Sequence, residues 1–277
     1  MAMDKDYSEI VRKCFTRGEP DWKDWDDYRD LGFSAAHIPE LIHILDTTSE
    51  LWDEAGQDDR IEWAPIHAWR ALAQLGAVEA LPAMLRLLEK EGDSDWVTED
   101  IPQAAARLGP AAVEDLRDLL CSPGNDDWAR IGAARALQLI AEQHPERRGD
   151  LPGRPDCIAA LCAGLELFEQ NDETVNGFII SYLADANAPE TAGLVERAFQ
   201  SGRVDLSIMG DYEEFQIAVG LLKERITPPP RHGWFQPDIR RAFVQNEAQK
   251  RRRRQSEKKE KAKRKQEKLA RKRHRRK

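Results

Sequence analysis

Cysteine is scarce in this chain: Cys14, Cys121, Cys157 and Cys162 in 277 residues, with no two in a C-x-x-C pair. Neither a disulfide framework nor a cysteine zinc site is expected; the spacing suits free, buried thiols in a reducing compartment. No run of 18 apolar residues occurs, so no membrane-spanning helix is expected. The opening Met1–Asp6 has no apolar core, so a secretory leader is not expected either. None of the six histidines, His37, His43, His67, His144, His232 and His274, is followed by glutamate. There is no P-loop, no G-x-G-x-x-G and no G-x-S-x-G. No catalytic, cofactor-binding or metal-ligating residue is therefore assigned, and the expectation is a cytoplasmic, non-enzymatic protein without cofactors. Strands are not expected, because no sustained period-two alternation appears and no Asn-Gly turn joins two alternating runs.

The net charge of −8 conceals a division. Residues 250–277 hold 18 Lys or Arg and three acids, Glu257, Glu260 and Glu267, a charge of +15. The other 249 residues hold 24 basic and 47 acidic side chains, or −23. An acidic body and a basic tail are thus separate electrostatic objects.

A repeat sets the architecture. Trp63, Trp96 and Trp128 each follow an acid: Glu62, Asp95 and Asp127. Alanine recurs eight residues later at Ala71, Ala104 and Ala136, and an aliphatic recurs at twelve: Leu75, Leu108 and Ile140. A small residue follows each aliphatic: Gly76, Gly109 and Ala141. Each unit reads as a helical hairpin. A first helix such as WAPIHAWRALAQL stops at a glycine, which takes the left-handed conformation at little cost. A second carries a leucine stripe such as Leu81, Met84, Leu85 and Leu88. Leu31-Gly32 with HIPELIHIL extends the array upstream, and TTSELWDEAGQDDRIE reads as a polar insertion. CIAALCAGLELF, TVNGFIISYL with ETAGLVERAF, and DYEEFQIAVGLL extend it downstream. The reading is all-α: a right-handed α-α superhelix of about five hairpins whose end units differ because they face water. The organisation expected is a lead-in over 1–27, repeats over 28–225, a Pro-rich linker over 226–237 and a basic tail over 238–277.

At these residues the chain resembles the HEAT repeat family in its PBS-lyase HEAT-like form. The runs WAPIHAWRALAQLG, ARIGAARAL and GDYEEFQIAVGL resemble uncharacterised bacterial HEAT-repeat proteins. The resemblance implies a HEAT-like, armadillo-like solenoid and, as one alternative, a bilin-lyase-like enzyme. Di-iron hydroxylases of this architecture use His-Glu pairs, which are absent here. Relatives that hydrolyse alkylated bases on DNA need a cationic face, which a body at −23 does not offer. Some relatives end in a cysteine-rich zinc motif; here the basic tail stands in that place.

Two sets of residues point to binding. Trp63, Trp96 and Trp128, with Asp95 and Asp127, are expected to stack in a row along the array. They read either as staples between repeats or as an acid-ringed aromatic ladder for a basic or amphipathic protein segment. Acid pairs such as Asp58-Asp59 and Asp126-Asp127 read as helix caps. After Thr227-Pro228-Pro229-Pro230, with Trp234 and Phe235 beside the linker, the tail becomes helix-prone or disordered. Its Arg251, Arg252, Arg253, Arg254, Lys263, Arg264, Lys265, Arg271, Lys272 and Arg273 are candidate anion ligands. Leu269 is the only large aliphatic of residues 250–277, which argues against membrane anchoring. The expectation is an interaction scaffold; the alternative is an RNA- or ribosome-associated factor binding through the tail.

Overall fold

The computed structural model describes residues 7–54, 60–92 and 94–229. The chain divides between Pro228 and Pro229. Trp234, Phe235, the tail cations Arg251 to Arg273 and Asp58-Asp59 lie outside the described residues.

The described residues are helical, and their one β-type pairing is an isolated bridge between Arg148 and Leu151. After the short α1 (Lys13–Thr16) come α2 (Ile38–Asp46), α3 (Thr48–Glu54), α4 (Ala64–Leu75) and α5 (Leu81–Lys90). The array continues through α6 (Asp95–Leu108), α7 (Val113–Leu120), α8 (Asp127–Gln143) and α9 (Arg154–Leu165). It closes with α10 (Glu173–Asp185), α11 (Ala192–Gln200), α12 (Leu206–Met209) and α13 (Tyr212–Ala218).

The repeat helices α4 to α11 form a solenoid-like stack, α5 packing against α6, α7 against α8, and α9 against α8 and α10. The first helices of the repeats make one row, α4 packing against α6, α6 against α8 and α8 against α10. α2 packs against α4 and α5, and α7, α9 and α11 pack in turn along the other side. Proline sits in the first turn of α2, α4, α5 and α9, where its missing N–H has no partner to lose. Gly76, at φ 70°, ends α4 in the left-handed region. Where the third unit has Ala141 instead of glycine, α8 runs on to Gln143. Elsewhere glycine allows close approach: a Cβ on Gly164 would lie 2.7 Å from Leu120 Cγ, so α7 and α9 touch there.

Two segments differ from their sequence reading. The polar insertion contains α3, because Leu51 is buried and anchors a turn that its polar neighbours hide in the sequence. The lead-in packs into the core: Tyr7, Val11, Cys14 and Phe15 are buried in the same cluster as the repeats.

Candidate interaction site

The three repeat tryptophans stand at the starts of first helices. Trp63 ends the 3-10 turn Ile61–Trp63 before α4, while Trp96 and Trp128 are the second residues of α6 and α8. Asp95 and Asp127 are exposed in the first turns, where a negative charge faces the positive end of the helix dipole. Asp126 caps α8, its Oδ1 accepting from the amides of Trp128 and Ala129 at 2.9 and 3.1 Å.

The expected uniform row is absent. Trp63 and Trp96 meet edge to face at 5.6 Å, and Trp22 packs on Trp96 at 4.1 Å. Trp128 stands apart, 47% exposed, with Phe178 of α10 at 6.1 Å. Residues 18–28 lie over α4 and α6, with Trp22 on Trp96 and Trp25 facing Arg70 and Arg107.

Three side chains on one stripe of α4 hold this segment by its main chain. His67 Nε2 lies 2.9 Å from the Gly18 carbonyl, Arg70 Nη1 donates to the Asp21 carbonyl at 2.7 Å, and Gln74 Nε2 donates to the Asp26 carbonyl at 2.8 Å. Gln74 Oε1 accepts the Tyr28 amide at 2.8 Å, and Arg29 donates to the Gln74 carbonyl. Beneath the segment, Arg70 and Asp100 form a buried bidentate ion pair: Nε to Oδ2 at 2.8 Å and Nη2 to Oδ1 at 2.9 Å. Trp69 Nε1 donates to the same carboxylate at 2.6 Å. The Arg70 guanidinium also faces the Trp25 ring at 4.8 Å and the Trp96 ring at 5.5 Å, while Arg107 covers Trp25 at 3.8 Å. Sequence reading missed Trp22, Trp25, Arg70, Gln74, Asp100 and Arg107. Their one signal was a polar i, i+3, i+7 stripe on an apolar helix: His67, Arg70 and Gln74.

The geometry assigns the His67 tautomer. A carbonyl only accepts, so Nε2 carries the proton and Nδ1 accepts the Tyr28 hydroxyl at 2.6 Å. Burial, the largest influence, holds the His67 pKa below its usual value because a charged ring would lose its water. The unfolded histidine takes up a proton below about pH 6.5 while the folded ring still refuses one. This contribution to stability is complete above that pH and is lost as pH falls toward the folded pKa. Unfolding free energies from denaturant titrations between about pH 7.5 and 5.5 should therefore fall more steeply in the native protein than in His67→Gln, by at most ~1.4 kcal/mol per pH unit. Equal slopes would refute the assignment.

A second buried polar network joins later repeats. Arg130 donates to the Leu120 carbonyl at 2.9 Å and to Asn171 Oδ1 at 2.5 Å. Asn171 Nδ2 contacts the Gly164 carbonyl and Asn176 Oδ1 at 2.9 and 2.8 Å. The network satisfies carbonyls at the ends of α7 and α9 and reads as structural. Among the described residues, no three His, Cys, Asp or Glu side chains converge as metal ligands do. No helix there is long and apolar enough to cross a membrane. An open groove between α6 and α8 is lined by Gln103, Arg107, Leu139 and Gln143.

Comparison with known proteins corrects the resemblance read from the sequence. The family model that matches is not a HEAT repeat model but that of a protein of unknown function, DUF1186, over residues 34–226. Any stack of helical hairpins needs leucine stripes, small residues at close approaches and glycine at the junctions. Those shared residues therefore report architecture and not descent. No curated protein and no solved structure matches the chain. The matched span takes in all the helices from α2 to α13, and the chain belongs to the DUF1186 family.

Proposed function

We propose that the protein is a non-enzymatic interaction scaffold in the cytoplasm, whose acidic repeat body takes a basic or amphipathic segment of another protein. On the same proposal, its basic tail binds anionic surfaces. The observation that carries this reading is Trp128: 47% exposed, beside Asp126 and Asp127, on a body with 47 acids against 24 cations. Solvent gains nothing from a large exposed indole, and tryptophan is over-represented among the residues that dominate interfaces. A lysine or arginine placed over its face gains about 0.5–1 kcal/mol, and more when water is excluded. Burial raises the Cys157 thiol to about 12 and the Cys162 thiol to about 11, so neither is a ready thiolate.

Calorimetric titration with a Lys/Arg-rich amphipathic peptide tests the reading. Trp128→Ala should weaken binding by about tenfold, the scale of an interface anchor. Its unfolding free energy should stay within about 0.5 kcal/mol of the parent, as for an exposed side chain. Unchanged affinity would sink the site. The runner-up, RNA or ribosome binding through the tail, is favoured by the 18 cations of residues 250–277. The bilin-lyase alternative rested on the HEAT resemblance and finds no support of its own.

A further inference from the structure

The repeat register that aligns Trp63, Trp96 and Trp128 also aligns the residues seven and eleven positions further on. Arg70 corresponds to Gln103, and Gln74 to Arg107; one repeat later, Arg107 corresponds to Leu139. In the groove between α4 and α6 these positions are occupied. Arg70 and Gln74 donate to the carbonyls of Asp21 and Asp26. Trp22 packs on Trp96, and Trp25 lies against both Arg70 and Arg107. The groove thus holds a non-helical segment by its main chain and by two indoles three residues apart.

One repeat further, the equivalent groove between α6 and α8 is open. It presents Gln103 and Arg107 where the first groove has Arg70 and Gln74, and Leu139 where it has Arg107; Trp128, at the start of α8, holds the register position of Trp96. Trp96 is half-buried with Trp22 against it, while Trp128 is 47% exposed. Gln103 makes one local contact, to the Glu99 carbonyl at 3.2 Å. Among the described residues the Arg107 guanidinium stacks on Trp25 and makes no hydrogen bond or ion pair. The donors and the apolar seat are present without the segment that uses them one repeat earlier.

We propose that the α6/α8 groove binds an extended segment of another protein that carries two aromatic residues three positions apart. The inference rests on the scaffold reading above and names the partner's chemistry. The first ring packs against Trp128 as Trp22 packs against Trp96. The second settles on Leu139. Gln103 and Arg107 donate to main-chain carbonyls flanking the pair, as Arg70 and Gln74 do. Main-chain recognition supplies affinity, and the two aromatic seats supply selectivity.

The test uses the full chain and a fluorescent peptide with the sequence of residues 18–28, Gly-Glu-Pro-Asp-Trp-Lys-Asp-Trp-Asp-Asp-Tyr, with Asp24, Asp26 and Asp27 replaced by Asn so that its net charge falls from −4 to −1 and the acidic body does not repel it. Saturable binding is expected, weakened by about tenfold or more in Leu139→Glu and when both peptide tryptophans become alanine. Gln103→Ala, a milder change that keeps the fold if Leu139→Glu does not, should weaken it by about two- to tenfold, the scale of one hydrogen bond. Absence of saturable binding up to about 1 mM, or equal affinity for the parent and both variants, overturns the proposal. A protein that captures the basic peptide of the preceding test but not this one keeps the scaffold reading and loses the groove. One that captures neither loses both.

Discussion

Asp100→Ala should destabilise the protein by about 3–5 kcal/mol, the usual consequence of leaving one member of a buried ion pair alone. Asp100 and Arg70 have side chains 3% and 0% exposed, so neither can turn to water when its partner is gone. The carboxylate accepts both arms of Arg70 and the Trp69 indole N–H. Its removal leaves the guanidinium with the Asp21 carbonyl as its remaining hydrogen-bond acceptor. Those contacts join α4 to α6 and fix the side chain that holds residues 18–28, so the loss should spread to the N-terminal segment. For a body of this size the melting point should fall by roughly 2–4 °C for each kcal/mol lost. Replacing both partners with apolar residues, Arg70→Met with Asp100→Leu, should cost less than Asp100→Ala alone, because no buried charge is then unpaired. Denaturant unfolding of the three proteins decides this. A change under about 1 kcal/mol in Asp100→Ala would show the pair to be dispensable.

Removing residues 250–277 should abolish RNA binding while leaving repeat unfolding nearly unchanged. The segment supplies 18 of the chain's 42 basic residues and one large aliphatic, Leu269. It has little apolar surface to bury, at about 25 cal/mol per Å², against an ordering entropy of about 1–2 kcal/mol per residue. On the RNA-binding reading its cations act on phosphates instead, and each neutralised phosphate releases counterions. If about eight phosphates are contacted on a single strand, affinity should fall roughly a thousandfold between 50 and 200 mM salt. The truncated protein, with 24 basic and 47 acidic residues, repels the same polyanion. Fluorescence anisotropy with one RNA at both salt concentrations, for full-length and truncated protein, measures this. Equal affinity of the two would end the nucleic-acid reading of the tail.

The helical class, the hairpin period and the junctions at Gly76 and Gly109 are determined by the sequence alone. Helix hydrogen bonds are local, and an apolar stripe at helical spacing records which face is buried. The family was not legible in the same residues, because stripes and junction glycines belong to every stacked hairpin. α3 was hidden because one buried leucine holds a turn that reads as polar. Arg70 looked like any charged residue between Trp69 and Ala71, and Asp100 lies 30 positions further on. Only stacking α4 on α6 turns them into an ion pair. Likewise Trp63, Trp96 and Trp128 are equivalent in sequence but not in environment. Spacing determines that each begins a first helix. Tertiary structure decides that residues 18–28 lie over α4 and α6 and leave Trp128 in water, because coverage depends on where a distant segment runs, which no local period records.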